Sequence, residues 1–335
     1  MHYFLLDIYR YFAALIVCIS HFIYNYNKSL YFEFTSILGV ELFFILSGFV
    51  LAPQLLKLQD NTIKNLKIFL LRRWIRTIPP YLVALFCAAF LFGYGDYKNF
   101  LKFITYTQNL ISDSPSPNFF SVAWSLSVEE WFYIILPFLI LITRFIKNKI
   151  IKLDIFTICL IIIIILNILR PFYNSESVDW GTDIRRSVIF RIDSICFGVV
   201  AFLLKDKISK IFLIIIFLFS LIFLFYFLID PKILLDYKIL QNLFLPICAI
   251  CFSSILILFT FKHTNLSIIK KISSFGANIS YPMYLFHIFF IPLTINLFTN
   301  IIIALIGYLV LLKLFCFIFF IYFEKPLLKL RPKYE

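Results

Sequence analysis

Long apolar runs separated by short polar links recur along the whole chain. Ten are marked, at about 4–24, 36–56, 77–93, 122–143, 153–169, 188–204, 211–229, 240–261, 278–298 and 301–323. Each is close to the ~20 residues a helix needs to cross a bilayer core of ~30 Å. The pattern predicts an all-α membrane protein, a polytopic bundle of about ten transmembrane helices. The first run does not read as a cleaved signal peptide, because it carries Asp7 and Arg10 and lacks a small-residue cleavage pattern. The links at about 94–121 and 170–187 are too short to fold alone, and no internal repeat is evident. Residues 1–335 therefore read as one membrane domain with no appended soluble domain. Ser112–Pro117 reads as an outer turn before the fourth helix.

Composition agrees with the pattern. Apolar residues make up 62% of the 335, including 44 Phe, and mean hydropathy is +0.96, more apolar surface than a water-soluble core of this size can hide. The net charge of +13 does not point to nucleic acid, because the basic residues sit in short clusters between the runs. With the N-terminus in the cytoplasm, inner loops and the C-terminal tail hold 20 of the 31 Lys and Arg, and outer loops hold eight against as many acids. Both termini are expected inside. The seven Cys are scattered, and the Cys248/Cys251 pair has no second pair or nearby His to complete a metal site. No metal is expected.

Ionisable groups within apolar helices carry the remaining information, since they persist only where they face a cavity or a partner. Arg10 and His21 lie eleven residues apart on the first helix. At ~100° and ~1.5 Å per residue they share a face and stand roughly 16 Å apart along the axis. The topology places Arg10 in the inner half and His21 near the outer end. It also gathers Glu41, Trp124, Ser125, Glu129, Glu130, Arg191 and Asp193 in the outer leaflet, with His287 near mid-membrane close to Tyr281 and Tyr284. A histidine can take a proton from a hydroxyl, and a neighbouring carboxylate would orient it and stabilise its imidazolium. Glu129, Glu130 and Glu41 are the candidates for that carboxylate. Cys18, three residues before His21, faces roughly 60° away from it and is set aside. On the inner side, Arg72, Arg73 and Arg76 precede Pro79-Pro80 and share a helix face suited to phosphate. A purely topological reading of that cluster, as an anchor on anionic lipids, stands beside it.

Six blocks in order resemble the acyltransferase-3 family of integral membrane acyltransferases. They are Leu6–Leu15 running on to His21, Gly39–Phe49, Arg72–Arg76 followed by Pro79-Pro80-Tyr81, Trp124–Tyr133, Ser280–His287 and Glu324–Pro326. Departures are Ile8 and Tyr11 where the family usually has Gly, Glu41 for Asp, and Trp131 for Gln. The resemblance implies transfer of an acyl group, often acetyl, from cytoplasmic acyl-CoA to a hydroxyl on an extracytoplasmic acceptor. That acceptor would be a surface polysaccharide, a glycolipid or a lipid-linked sugar, and the enzyme would sit among the lipids of a bacterial inner membrane. In that reading Arg72, Arg73 and Arg76 hold the CoA phosphates and Arg10 draws in the thioester arm. His21 deprotonates the acceptor or carries the acyl group transiently. A transporter or flippase for envelope precursors is the alternative, since buried charges on several helices also suit a transport path.

Overall fold

The computed structural model describes residues 4–59, 62–111, 118–145, 153–259 and 267–334. The expected turn at Ser112–Pro117 lies outside the described residues. Within them the regular structure is helical: α1 (Phe4–Asn27), α2 (Leu30–Leu56), α3 (Thr62–Phe92), α4 (Tyr97–Ile104), α5 (Ala123–Phe145), α6 (Ile155–Tyr173), α7 (Ile192–Leu204), α8 (Lys210–Ile229), α9 (Lys232–Asp236), α10 (Lys238–Phe259), α11 (Ser267–Leu297), α12 (Ile301–Phe319) and α13 (Lys325–Leu328). Nine of these stretches are long and apolar enough to cross a membrane.

Two expectations of extent are corrected. Helices α3 and α11 each run for 31 residues and begin well before the apolar segments read at 77–93 and 278–298. Charge ends a hydropathy run but not a helix, so Lys64, Lys67, Arg72, Arg73 and Arg76 continue α3 beyond the apolar stretch. The segment read at 188–204 is the opposite case. Its helix, α7, has only 13 residues, about 20 Å of rise, and is preceded by irregular backbone. That backbone is buried in protein and its polar groups are met there, as hydrocarbon requires. Val188 and Ile189 donate to the carbonyls of Asn109 and Leu110 at 2.9 and 3.2 Å. Arg170 donates twice to the Phe190 carbonyl, from Nε at 3.1 Å and Nη2 at 2.6 Å.

Helix α1 lies between α2 and α11, while α7 packs against α2, α6 and α10. The crossing of α2 with α7 is backbone to backbone: a Cβ on Gly48 would meet the Ile195 carbonyl oxygen at 1.9 Å, and one on Gly198 that of Ile45 at 2.0 Å. Helix α8 turns most of its apolar side chains outward, as does much of α12. The buried polar residues gather around α1, α2, α3, α5, α7 and α11, and it is there that a site is sought.

Candidate functional site

Two adjoining cavities run up the middle of the bundle from the end at which α1 begins and α13 lies. The lower, about 940 Å³, is lined by Asp7, Arg10, Arg73, Arg76, Asn278 and Glu324, among others. The upper, about 750 Å³, shares Arg10, Val50, Arg73 and Arg76 with it and continues past Ser47 and Glu129 to Ser125 and Tyr284. Three guanidiniums thus line the junction. Arg10 also meets Asp7 one turn below at 3.9 Å, the local i,i+3 pair that helix spacing favours. Arg73 donates to Gln54 at 3.1 Å. Arg72 turns away from the cavity and donates to the Pro332 carbonyl at 2.6 Å, so the three arginines of the α3 cluster divide between two environments.

The carboxylates stand elsewhere than expected. Glu129 lines the arginine cavity, accepts from Ser47 at 2.5 Å and from Tyr133 at 3.3 Å, and so belongs with Arg10 rather than His21. Its depth has a simple origin: Phe119, Phe120, Val122 and Ala123 are already buried, so α5 starts inside the bundle rather than at its surface. Glu130 is buried beside the Thr77 and Trp74 side chains of α3. Glu41 is ion-paired with Arg191, both fully buried, and receives Ser194 at 3.4 Å. Asp193 is ion-paired with Arg170. A buried charge without a counter-charge is strongly destabilising, so each acid found in the outer group by hydropathy has gone to a cation or a set of donors. These two ion pairs tie α2 and α6 to the start of α7.

The partner of His21 is another histidine. His21 Nδ1 lies 2.8 Å from His287 Nε2, with the rings stacked at a centroid separation of 5.0 Å. On its far side His287 Nδ1 is 2.8 Å from the Tyr284 carbonyl oxygen. A carbonyl only accepts, so Nδ1 of His287 carries the hydrogen and, in the neutral ring, Nε2 accepts. His21 must then donate through Nδ1, which leaves its Nε2 lone pair uncommitted. His287 is fully buried and His21 is not, so the open member of the pair is the one with the free lone pair. Arg185 and Arg186, from the irregular stretch before α7, lie within electrostatic reach of His21.

A hydrogen bond of 2.5 Å between Ser125 and Tyr284 stands between the cavity and this pair, and Tyr284 is one turn from His287. Tyr281, lower on α11, donates to the Thr77 carbonyl at 2.8 Å. Trp124 packs its ring against Phe44 and under the Arg185 guanidinium, 5.8 Å from centroid to Cζ. Cys18 is buried, its thiol directed at the Met283 carbonyl at 3.8 Å. Among the described residues no cluster of His, Cys, Asp and Glu is arranged to hold a metal ion. Sequence reasoning named His287 without its pairing to His21. It passed over Ser47, whose signal was a hydroxyl within the apolar run of α2.

Comparison with known proteins gives this arrangement a context. A family model described as "Acyltransferase domain" matches residues 4–323. "Putative O-acetyltransferase SACOL0978" of Staphylococcus aureus (strain COL) is 33% identical over 143 residues, 38% of this chain and 23% of that protein. "Putative peptidoglycan O-acetyltransferase YrhL" of Bacillus subtilis (strain 168) is 28% identical over 165 residues, 43% of this chain and 24% of that protein. The matched stretch thus spans under a quarter of the length of these relatives. No solved structure matches the chain.

Proposed function

The chain belongs to the acyltransferase family whose model spans residues 4–323, and from that premise we propose that it is a membrane O-acyltransferase. Its donor is acyl-CoA, most simply acetyl-CoA, entering from the cytoplasm. Its acceptor is a hydroxyl of a glycan or lipid-linked sugar on the other face of a bacterial inner membrane. The relative named "Putative peptidoglycan O-acetyltransferase YrhL" supports an envelope glycan as the acceptor class.

The observation that carries the reading is the Tyr284 carbonyl–His287–His21 chain standing one turn beyond an arginine-lined cavity. Arg73 and Arg76 hold donor phosphates at the terminal end of the cavities, where guanidiniums suit phosphate by charge and fork geometry. Arg10, roughly 16 Å below His21 along α1, guides the thioester arm upward. His21 Nε2 removes the acceptor proton as the hydroxyl oxygen attacks the thioester carbonyl. Collapse of the tetrahedral intermediate expels the CoA thiolate, which recovers the proton from His21, so the products are ester and free thiol. His287, accepting from Nδ1–H throughout, holds the ring and stabilises the imidazolium formed in between. No carboxylate is needed for that orientation, which frees Glu129 to balance the arginines.

The test is the ester-linked acyl content of surface glycans in a deletion strain complemented with wild type or H21A. Restoration by wild type alone, at equal protein level, is the expected result. Restoration by both would remove His21 from the chemistry. Ester content that never depends on the gene would favour the transport reading.

A further inference from the structure

The C-terminal segment after α13 is packed on the arginine cluster rather than leaving the protein. Arg72 donates to the Pro332 carbonyl at 2.6 Å. The Tyr334 ring is held between cations, with Lys57 Nζ at 4.6 Å and Arg72 Cζ at 5.4 Å from its centroid. This fold-back brings Arg331 within electrostatic reach of Arg10, Arg72, Arg73 and Arg76. Arg10, Arg73 and Arg76 line the two cavities, and Arg72 and Arg331 add two more guanidiniums beside them, against the nearby carboxylates of Asp7, Glu129 and Glu324.

Such a cluster is unfavourable unless something anionic completes it, and the hydrogen-bond inventory points the same way. Nε and Nη2 of Arg331 are buried and have no hydrogen-bond partner among the described residues. Nε of Arg72 and of Arg73 are in the same condition, as is the Tyr334 hydroxyl. Buried donors left unmade cost about 1–3 kcal/mol each, more when charged, and those of Arg72, Arg73, Arg331 and Tyr334 belong to neighbouring residues of one cluster. Burial and the four neighbouring guanidiniums also push the Arg331 pKa below that of a free guanidinium.

Resting on the donor assignment above, we propose that Arg331 is a donor-binding residue, contacting a phosphate group of the acyl-CoA together with Arg73 and Arg76. The ligand it recognises is a phosphorylated carrier of at least two negative charges, and the segment from Lys329 to Tyr334 is part of the binding site rather than a tail. Docking the phosphates there leaves the pantetheine arm free to enter the cavity past Arg10. A guanidinium–phosphate contact is a charge-assisted hydrogen bond, which sets the expected size of the effect.

The experiment is coenzyme A binding to the purified full-length protein in detergent, measured by calorimetry for wild type, R331A and R331K. The expected result is a Kd raised on the order of tenfold or more in R331A, with R331K between the two. The gap between wild type and R331A should narrow as salt is raised, because the lost contact is electrostatic. Wild-type affinity in R331A, or a deficit unaffected by salt, would overturn the role of Arg331 while leaving the donor assignment standing. Failure of wild type itself to bind coenzyme A, in preparations with a normal unfolding midpoint, would overturn both.

Discussion

At the scale of single residues, the instructive feature is how one hydrogen bond to a backbone carbonyl propagates to a reactive nitrogen. Because Tyr284 O lies 2.8 Å from His287 Nδ1, the tautomer of His287 is fixed, and through it that of His21. His287 thus does for His21 what an orienting carboxylate does in other acid–base sites. H287A should therefore lower turnover on the order of 10²-fold while leaving coenzyme A affinity unchanged, since the donor arginines lie elsewhere. H287Q, whose side-chain oxygen can reach the position of Nε2, should recover part of that loss. Steady-state rates on an acceptor glycan, read with Kd for coenzyme A, separate the two effects. An H287A enzyme as active as wild type would show that the pairing is packing alone. The sequence made both histidines legible as candidates, because imidazoles are conspicuous in apolar helices. Their pairing across 266 positions was not, and neither were the destinations of Glu41 and Glu129. A carboxylate in an apolar run announces that it has a partner; which arginine or hydroxyl it finds depends on helix rotation and depth.

At the scale of helices, the sequence was informative about existence and poor about extent, for one physical reason: hydropathy measures affinity for lipid, not backbone conformation. Thus α3 and α11 extend past their apolar limits, and the apolar Val188-Ile189-Phe190 stretch that looked like part of a span is irregular backbone satisfied by Asn109, Leu110 and Arg170. What fixes α7 in place is small-residue packing that lets two backbones touch, a device suited to membranes, where helices gain little from burying apolar surface. At Gly198 an added methyl would collide with the Ile45 backbone carbonyl, which cannot rotate away. At Gly307 it would meet only the Phe298 ring, at 3.0 Å, and a side chain can yield. G198A should therefore destabilise by about 1–3 kcal/mol or more, as overpacking does, with G307A milder. Unfolding midpoints of the two variants in detergent give the comparison, and equal midpoints would mean that α7 can slide away from α2. Because Arg191 heads α7 and is paired with Glu41 on α2, that shift would also disturb the buried ion pair.

At the scale of the whole molecule, helix number and sidedness depend on how α7 is counted. Nine long helices alone would put the two termini on opposite faces, whereas α7 as a tenth crossing returns the chain to the side on which it began. The structure favours the second count on independent grounds, because Asp7, near the start of α1, and Glu324 and Leu328, near the end of the chain, line the same cavity. The short helix is enough because the irregular segment ahead of it covers the rest of the depth, held by protein rather than lipid. Charge then says which side this is. The links at the terminal end carry most of the Lys and Arg, while those at the opposite end balance acid and base, and on that charge bias we propose that the terminal end faces the cytoplasm. Single cysteines placed at Ser29, between α1 and α2, and at Lys333 in the C-terminal segment test this in a background lacking Cys87, which is part-exposed. A membrane-impermeant maleimide should label S29C in spheroplasts and label K333C only after permeabilisation. The reverse pattern would put the arginine-lined mouth outside, where acyl-CoA is absent, and would end the donor assignment along with the topology. Labelling of both from outside would mean nine crossings, and then the cavity shared by the two ends of the chain could not exist as described.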